Sequence, residues 1–178
     1  MRLSDKKNKK VAIILFIVYA VSWALPIRGG FNKIDPLGIT GAMYSFAGVW
    51  AGARSLMNMS GSVETSVFFE MINSTGTILL GLPNILYVLA FFLYLKGGRK
   101  SLYLISPCVV LMLSWGKDFR WDLGIGYYLW LISGVGLLWL SGREYKRQTG
   151  VNTVQLLASD GMRFTYAVLL IMLLRYIV

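Results

Sequence analysis

"GTILLGLPNILYVLAFFLYL", residues 76–95, is the stretch on which the fold turns. Its twenty residues carry no charge. At about 1.5 Å per residue, that suffices for an α-helix to cross the roughly 30 Å hydrocarbon layer of a bilayer. Pro83 removes one backbone donor and is expected to kink this helix, a loss that is tolerated where a neighbour satisfies the freed carbonyl.

The same pattern repeats on both sides. "VAIILFIVYAVSWAL" (11–25), "SLYLISPCVVLMLSW" (101–115), "LGIGYYLWLISGVGLLWL" (123–140) and "FTYAVLLIMLLRYIV" (164–178) are further apolar blocks. Hydrophobic residues make up 56% of the chain and the mean hydropathy is +0.61. Soluble domains sit nearer about 45–50% apolar. Because the excess is gathered into blocks, the expected fold class is all-α, a polytopic integral membrane helical bundle in a single domain of residues 1–178. The expected spans lie near 11–25, 76–95, 101–117 and 123–141, with a fifth helix at 162–178. The fifth either crosses or lies on the interface. The first is a retained helix or a signal peptide, "SWA" (22–24) being a small-x-small cleavage pattern.

Charge decides the topology. Lys+Arg number 18 against 8 Asp+Glu. The cations flank the apolar runs, which fits orientation and anionic lipid rather than nucleic acid. "LGITGAMYSFAGVWAGA" (37–53) is at the lower length limit for a span. If it does not cross, Arg2, Lys6, Lys7, Lys9, Lys10, Lys96, Arg99, Lys100, Arg143, Lys146, Arg147 and Arg163 share one side, twelve of the 18. If it crosses, the tally is nine and nine. The asymmetric solution is preferred, so the N-terminus is placed in the cytoplasm. Residues 26–75 then form an external segment, with 37–53 re-entrant or interfacial.

The composition narrows the chemistry. There is no histidine, so the commonest zinc ligand and the usual general base near neutral pH are missing. The one cysteine, Cys108, sits inside an apolar run, where packing is the expected role. Glu64 and Glu70 are six residues apart, about 120° from eclipsed on a helix, and make no acid–base pair. "NMS" (58–60) and "NST" (73–75) match the glycosylation acceptor pattern but are too short to carry weight. "KGGRK" (96–100) reads as a tight cytoplasmic turn without the spacing of a phosphate-binding loop. No catalytic, metal or cofactor site is expected.

Two groups of residues remain as candidates. "SWGKDFRWDLGIGYYLWL" (114–131) places Lys117, Asp118, Arg120 and Asp122 between two apolar runs and between Trp115 and Trp121. The four charges sum to zero, which suits an interfacial hairpin turn, or an external patch that contacts a partner, ligand or headgroup. Gly48 and Gly52, like Ala47 and Ala51, are four apart. With Gly134 and Gly136 they allow helix backbones to approach closely, within the bundle or against another membrane protein.

"ALP" (24–26), "GGRK" (97–100) and "GYYLWL" (126–131) resemble a group of uncharacterised small polytopic bacterial inner-membrane proteins, over roughly residues 11–142. The resemblance implies the cell inner membrane and a multi-pass topology; it brings no activity and no functional residues. The expected function is therefore non-enzymatic: an accessory subunit or assembly factor that works through helix–helix contacts. Its partners would be the lipid bilayer and another membrane protein or a second copy in a homo-oligomer. A small oligomeric transporter or channel is an alternative, with Asn84, Ser106, Ser114 and Ser133 as its thin polar lining. An immunity-type protein against a membrane-acting toxin is another.

Overall fold

The computed structural model describes the backbone of residues 3–25, 38–57, 64–97, 99–118 and 124–177. Side chains are described for these except at 3–5, 38–46, 48, 64–66, 68 and 116–118. The described residues form helices and turns without a strand: α1 (Leu3–Ser22), α2 (Gly38–Met57), α3 (Glu64–Leu80), α4 (Pro83–Leu95), α5 (Ser101–Asp118), α6 (Ile125–Thr149), α7 (Thr153–Leu157), a 3-10 turn (Asp160–Met162) and α8 (Arg163–Ile177). The all-α class expected from the sequence is what is found.

The stretch 76–95 is not one kinked helix. It breaks at Gly81–Leu82, and the two halves, Phe69–Leu80 and Pro83–Leu95, meet at 46°. Pro83 opens α4 instead of interrupting a helix, because its fixed φ and missing N–H are both compatible with the first helical turn. The Leu79 carbonyl, which Pro83 cannot serve, accepts from the Leu82 N–H at 3.0 Å. Across the bundle, the Trp115 indole N–H donates to the Leu80 carbonyl at 2.8 Å, holding the end of α3.

Other boundaries also move. α6 continues to Thr149, eight residues past the expected end at 141, so "GREYKR" is helix and not loop. Arg147 pairs with Glu144 at 2.7 Å, Gln148 donates to the same carboxylate, and Gly150 closes the helix at φ +70°. α1 begins inside the basic cluster and ends at Ser22. The segment 26–75 contains α2 and the first part of α3. α7 is set by a capping box, in which Asn152 accepts from the Gln155 N–H and the Gln155 side chain accepts from the Asn152 N–H.

α4, α5 and α6 pack together with α1 on one side and α8 on the other; α2 docks chiefly on α3. An aromatic seam joins α1 to α4: Phe16 stacks on Phe91 (4.3 Å) and Tyr19 on Tyr87 (4.0 Å). Such pairs contribute about 0.5–1.5 kcal/mol each beyond area burial. Tyr87, Ile105, Leu111, Met112 and Leu137 are fully buried at the centre. α8 buries Thr165, Val168 and Met172, one face at helical spacing, and its Tyr176 hydroxyl donates to the Ser114 carbonyl. By length and composition, α6 is the described helix apolar enough to cross a membrane alone; the bent α3–α4 pair passes if counted as one span, and Ser101–Trp115 is apolar but shorter.

Candidate functional site

At the middle of the bundle three helices meet on one side chain. Asn84, in the first turn of α4, accepts at Oδ1 from the Tyr19 hydroxyl of α1 (3.1 Å) and from the Trp130 indole N–H of α6 (3.1 Å). Asn84 is buried, and Tyr19 also lies 3.5 Å from its backbone carbonyl. Around this hub sit Ser133, whose hydroxyl donates to the Trp130 carbonyl, and Cys108, whose thiol donates to the Pro83 carbonyl. The Tyr87 hydroxyl is buried beside the Ser133 hydroxyl, without a partner at full hydrogen-bond geometry. Every member is neutral, so the cluster avoids the cost of desolvating charge. It can fix which helices neighbour one another, but as described it has no acid–base pair. Among the described residues no group of three or more His, Cys, Asp or Glu side chains could hold a metal ion.

The basic residues gather at one end. Asn8 and Lys9 of α1, Tyr94, Gly97, and Glu144, Arg147 and Gln148 of α6 line one depression of about 240 Å³. The Gln148 amide donates to the Gly97 carbonyl, bracing α6 on the α4–α5 turn. Here too the Tyr103 hydroxyl donates to Tyr145 at 2.8 Å.

The residues singled out in the sequence fare differently. Arg120 and Asp122 lie outside the described residues. Lys117 and Asp118 close α5, their side chains likewise undescribed. The expected charged patch at these four residues thus lies outside the described side chains. Gly48 is in α2 but outside the described side-chain environment. Gly52 meets α3: a Cβ on it would stand 2.7 Å from the Ser74 carbonyl and 2.7 Å from Ile78. Beside it the Ser74 hydroxyl donates to Ser55 at 2.8 Å. Gly134 lies against Met112 of α5 and Gly136 against Leu15 of α1.

Asn84 was the residue undervalued in the sequence. Its Oδ1 accepts from two buried side chains of the bundle, Tyr19 and Trp130. The signal available was a lone amide beside a proline in an apolar run, since an amide there must find partners on other helices. No family model, no curated protein and no solved structure matches this chain.

Proposed function

We propose that the chain is an integral membrane protein whose helical bundle is surrounded by lipid. The observation that carries this reading is the outer surface of the helices. Ile13, Ile14, Ile17 and Val21 are exposed along α1, and Ile85, Leu89 and Phe92 along α4. Ile125, Tyr128, Ile132, Val135 and Trp139 form an exposed stripe on α6, and Tyr166, Leu169, Leu170, Leu173 and Ile177 another on α8. Exposed at that scale, such stripes would aggregate in water and are at home in hydrocarbon. The polar hub inside and the apolar skin outside are the arrangement that a bilayer stabilises. In this reading α1, the bent α3–α4 pair, α5, α6 and α8 cross, and the basic end faces the cytoplasm.

Within that frame we read the protein as a non-enzymatic accessory subunit or assembly factor. The supporting feature is α2. Gly52 is occupied by α3, but Ala47 and Ala51 are exposed on a different face, next to Trp50 at 72% exposure. Two small residues four apart beside an aromatic side chain suit close approach by a helix of another membrane protein or a second copy. A photo-crosslinker at Ala51 should capture such a partner in intact membranes, whereas one at buried Ile72 should not. Equal adducts from both positions, or none from Ala51, would remove the contact reading. Release of the chain from membranes by alkaline carbonate would remove the membrane reading itself.

A further inference from the structure

We infer that the groove between α5, α6 and the α7–α8 connection holds an anionic phospholipid, with its phosphate at Arg143 and Lys146 and an acyl chain along the apolar floor. The groove has a volume of about 550 Å³ and lies at the basic end of the bundle. That is within the roughly 300–1,000 Å³ of typical ligand sites. Its floor is apolar, built from side chains such as Leu102, Leu138 and Leu156, which come from three different helices. Its rim carries Arg143 and Lys146, and no carboxylate is among the lining residues.

The rim is already organised for an anion. Lys146 Nζ donates to Thr153 Oγ1 at 2.6 Å, which holds the ammonium over the groove. Arg143 stacks over the Trp139 ring with its guanidinium carbon 5.6 Å from the centroid. Trp139 is exposed on the same outer stripe, as an interfacial anchor would be. Thr165 also lines the groove, is buried, and its hydroxyl has no hydrogen-bond partner. A free phosphate would use the cations and waste the floor. A zwitterionic lipid would fill the floor but set its own cation against the rim. An anionic phospholipid satisfies both, and basic pockets between helices on the cytoplasmic side are where such headgroups are recognised.

This inference rests on the membrane reading, yet the two fail separately: carbonate extraction tests insertion, whereas headgroup preference tests the groove. The full chain, purified and delipidated in detergent, is titrated with phosphatidylglycerol and with phosphatidylcholine of identical chains, and binding is followed by native mass spectrometry. Phosphatidylglycerol should bind at least about tenfold more tightly, the loss of one charge-assisted contact being worth that much. Arg143→Gln with Lys146→Gln should erase the preference, weakening phosphatidylglycerol far more than phosphatidylcholine, whose choline already opposes the rim. Gly142→Leu should weaken both lipids, because a Cβ there is accommodated, 3.9 Å from Leu102, while the rest of the side chain enters the groove. Gly142→Ala, a smaller intrusion, should have an intermediate effect and guards against misfolding of the leucine variant. Equal affinity for the two lipids would overturn the proposal. So would a preference that survives the double substitution but vanishes in Lys9→Gln with Arg147→Gln, or full competition by soluble glycerol phosphate.

Discussion

At the scale of single residues, Asn84 and Tyr87 make opposite predictions although they are three residues apart and both buried. Asn84→Leu leaves the Trp130 N–H without its acceptor, while Tyr19 keeps only the longer contact to the backbone carbonyl. Interhelical hydrogen bonds in membrane bundles are worth about 0.6 kcal/mol each, and an abandoned buried donor costs about 1–3 kcal/mol. A destabilisation of about 1–2 kcal/mol is expected in unfolding titrations of the detergent-solubilised protein. Adding Tyr19→Phe to that variant should cost little more, since the bond to Oδ1 is already gone. A neutral Asn84→Leu would show that the hub does not hold the helices. Tyr87→Phe removes a hydroxyl that has no partner at full hydrogen-bond geometry, so stability should stay level or rise by about 0.5–1 kcal/mol. A loss of more than about 1 kcal/mol would reveal a buried water bonded to that hydroxyl. Neither outcome was legible in the sequence: Tyr19 and Trp130 reach Asn84 from 65 and 46 residues away. Linear spacing carries no information about such convergence.

Elements were read where hydropathy and helix coincide, and misread where they part. The core of α5 and the existence of α8 follow from apolar runs alone. α6 was cut short at 141 because its last two turns are polar, yet helix continuation depends on backbone bonding and i,i+3 and i,i+4 pairs, which Glu144, Arg147 and Gln148 supply. At the α3–α4 junction a proline in an apolar run suggests a kink within one helix, but at a helix start proline is at home. The pattern "NTVQ" (152–155) carries the capping box of α7 in the sequence itself. Glycines were flagged by spacing, but what each one faces separates them. A Cβ at Gly134 or Gly136 would press on Met112 or Leu15 side-chain ends, which can give way. At Gly52 it would press on the Ser74 backbone carbonyl, which cannot. Gly52→Ala should therefore push α2 off α3 despite the roughly 1 kcal/mol that alanine gains in a helix. The readout is a disulfide between Ser55→Cys and Ser74→Cys in a Cys108→Ala background, the hydroxyls being 2.8 Å apart in the native pair. Cross-linking should be efficient with Gly52 and fall several-fold with alanine. The same yield in both would mean that α2 docks without that close approach. Gly134→Ala should leave the yield unchanged.

For the whole molecule, the charge asymmetry counted in the sequence acquires a location. Lys9, Gly97 and Arg147 line one depression, so the N-terminal cluster, the α4–α5 turn and the end of α6 share one end of the bundle. Trp115, Tyr176 and the end of α3 meet toward the other. This grouping does not depend on a bilayer. Under the proposed membrane reading the asymmetry has a cause, because cytoplasmic loops retain Lys and Arg during insertion. A single helix, α5, separates Ser101 from Asp118, so in the proposed membrane reading the positions before and after it are expected on opposite sides. Gly98→Cys and Phe119→Cys, each in the Cys108→Ala background, report on those two sides. In intact cells a membrane-impermeant maleimide should label position 119 and spare position 98, and lysis should make both reactive. Labelling of 98 but not 119 would invert the orientation while leaving the bundle intact. Labelling of both before lysis would mean that α5 does not cross, and the lipid-facing assignment of its neighbours α4 and α6 would fall with it.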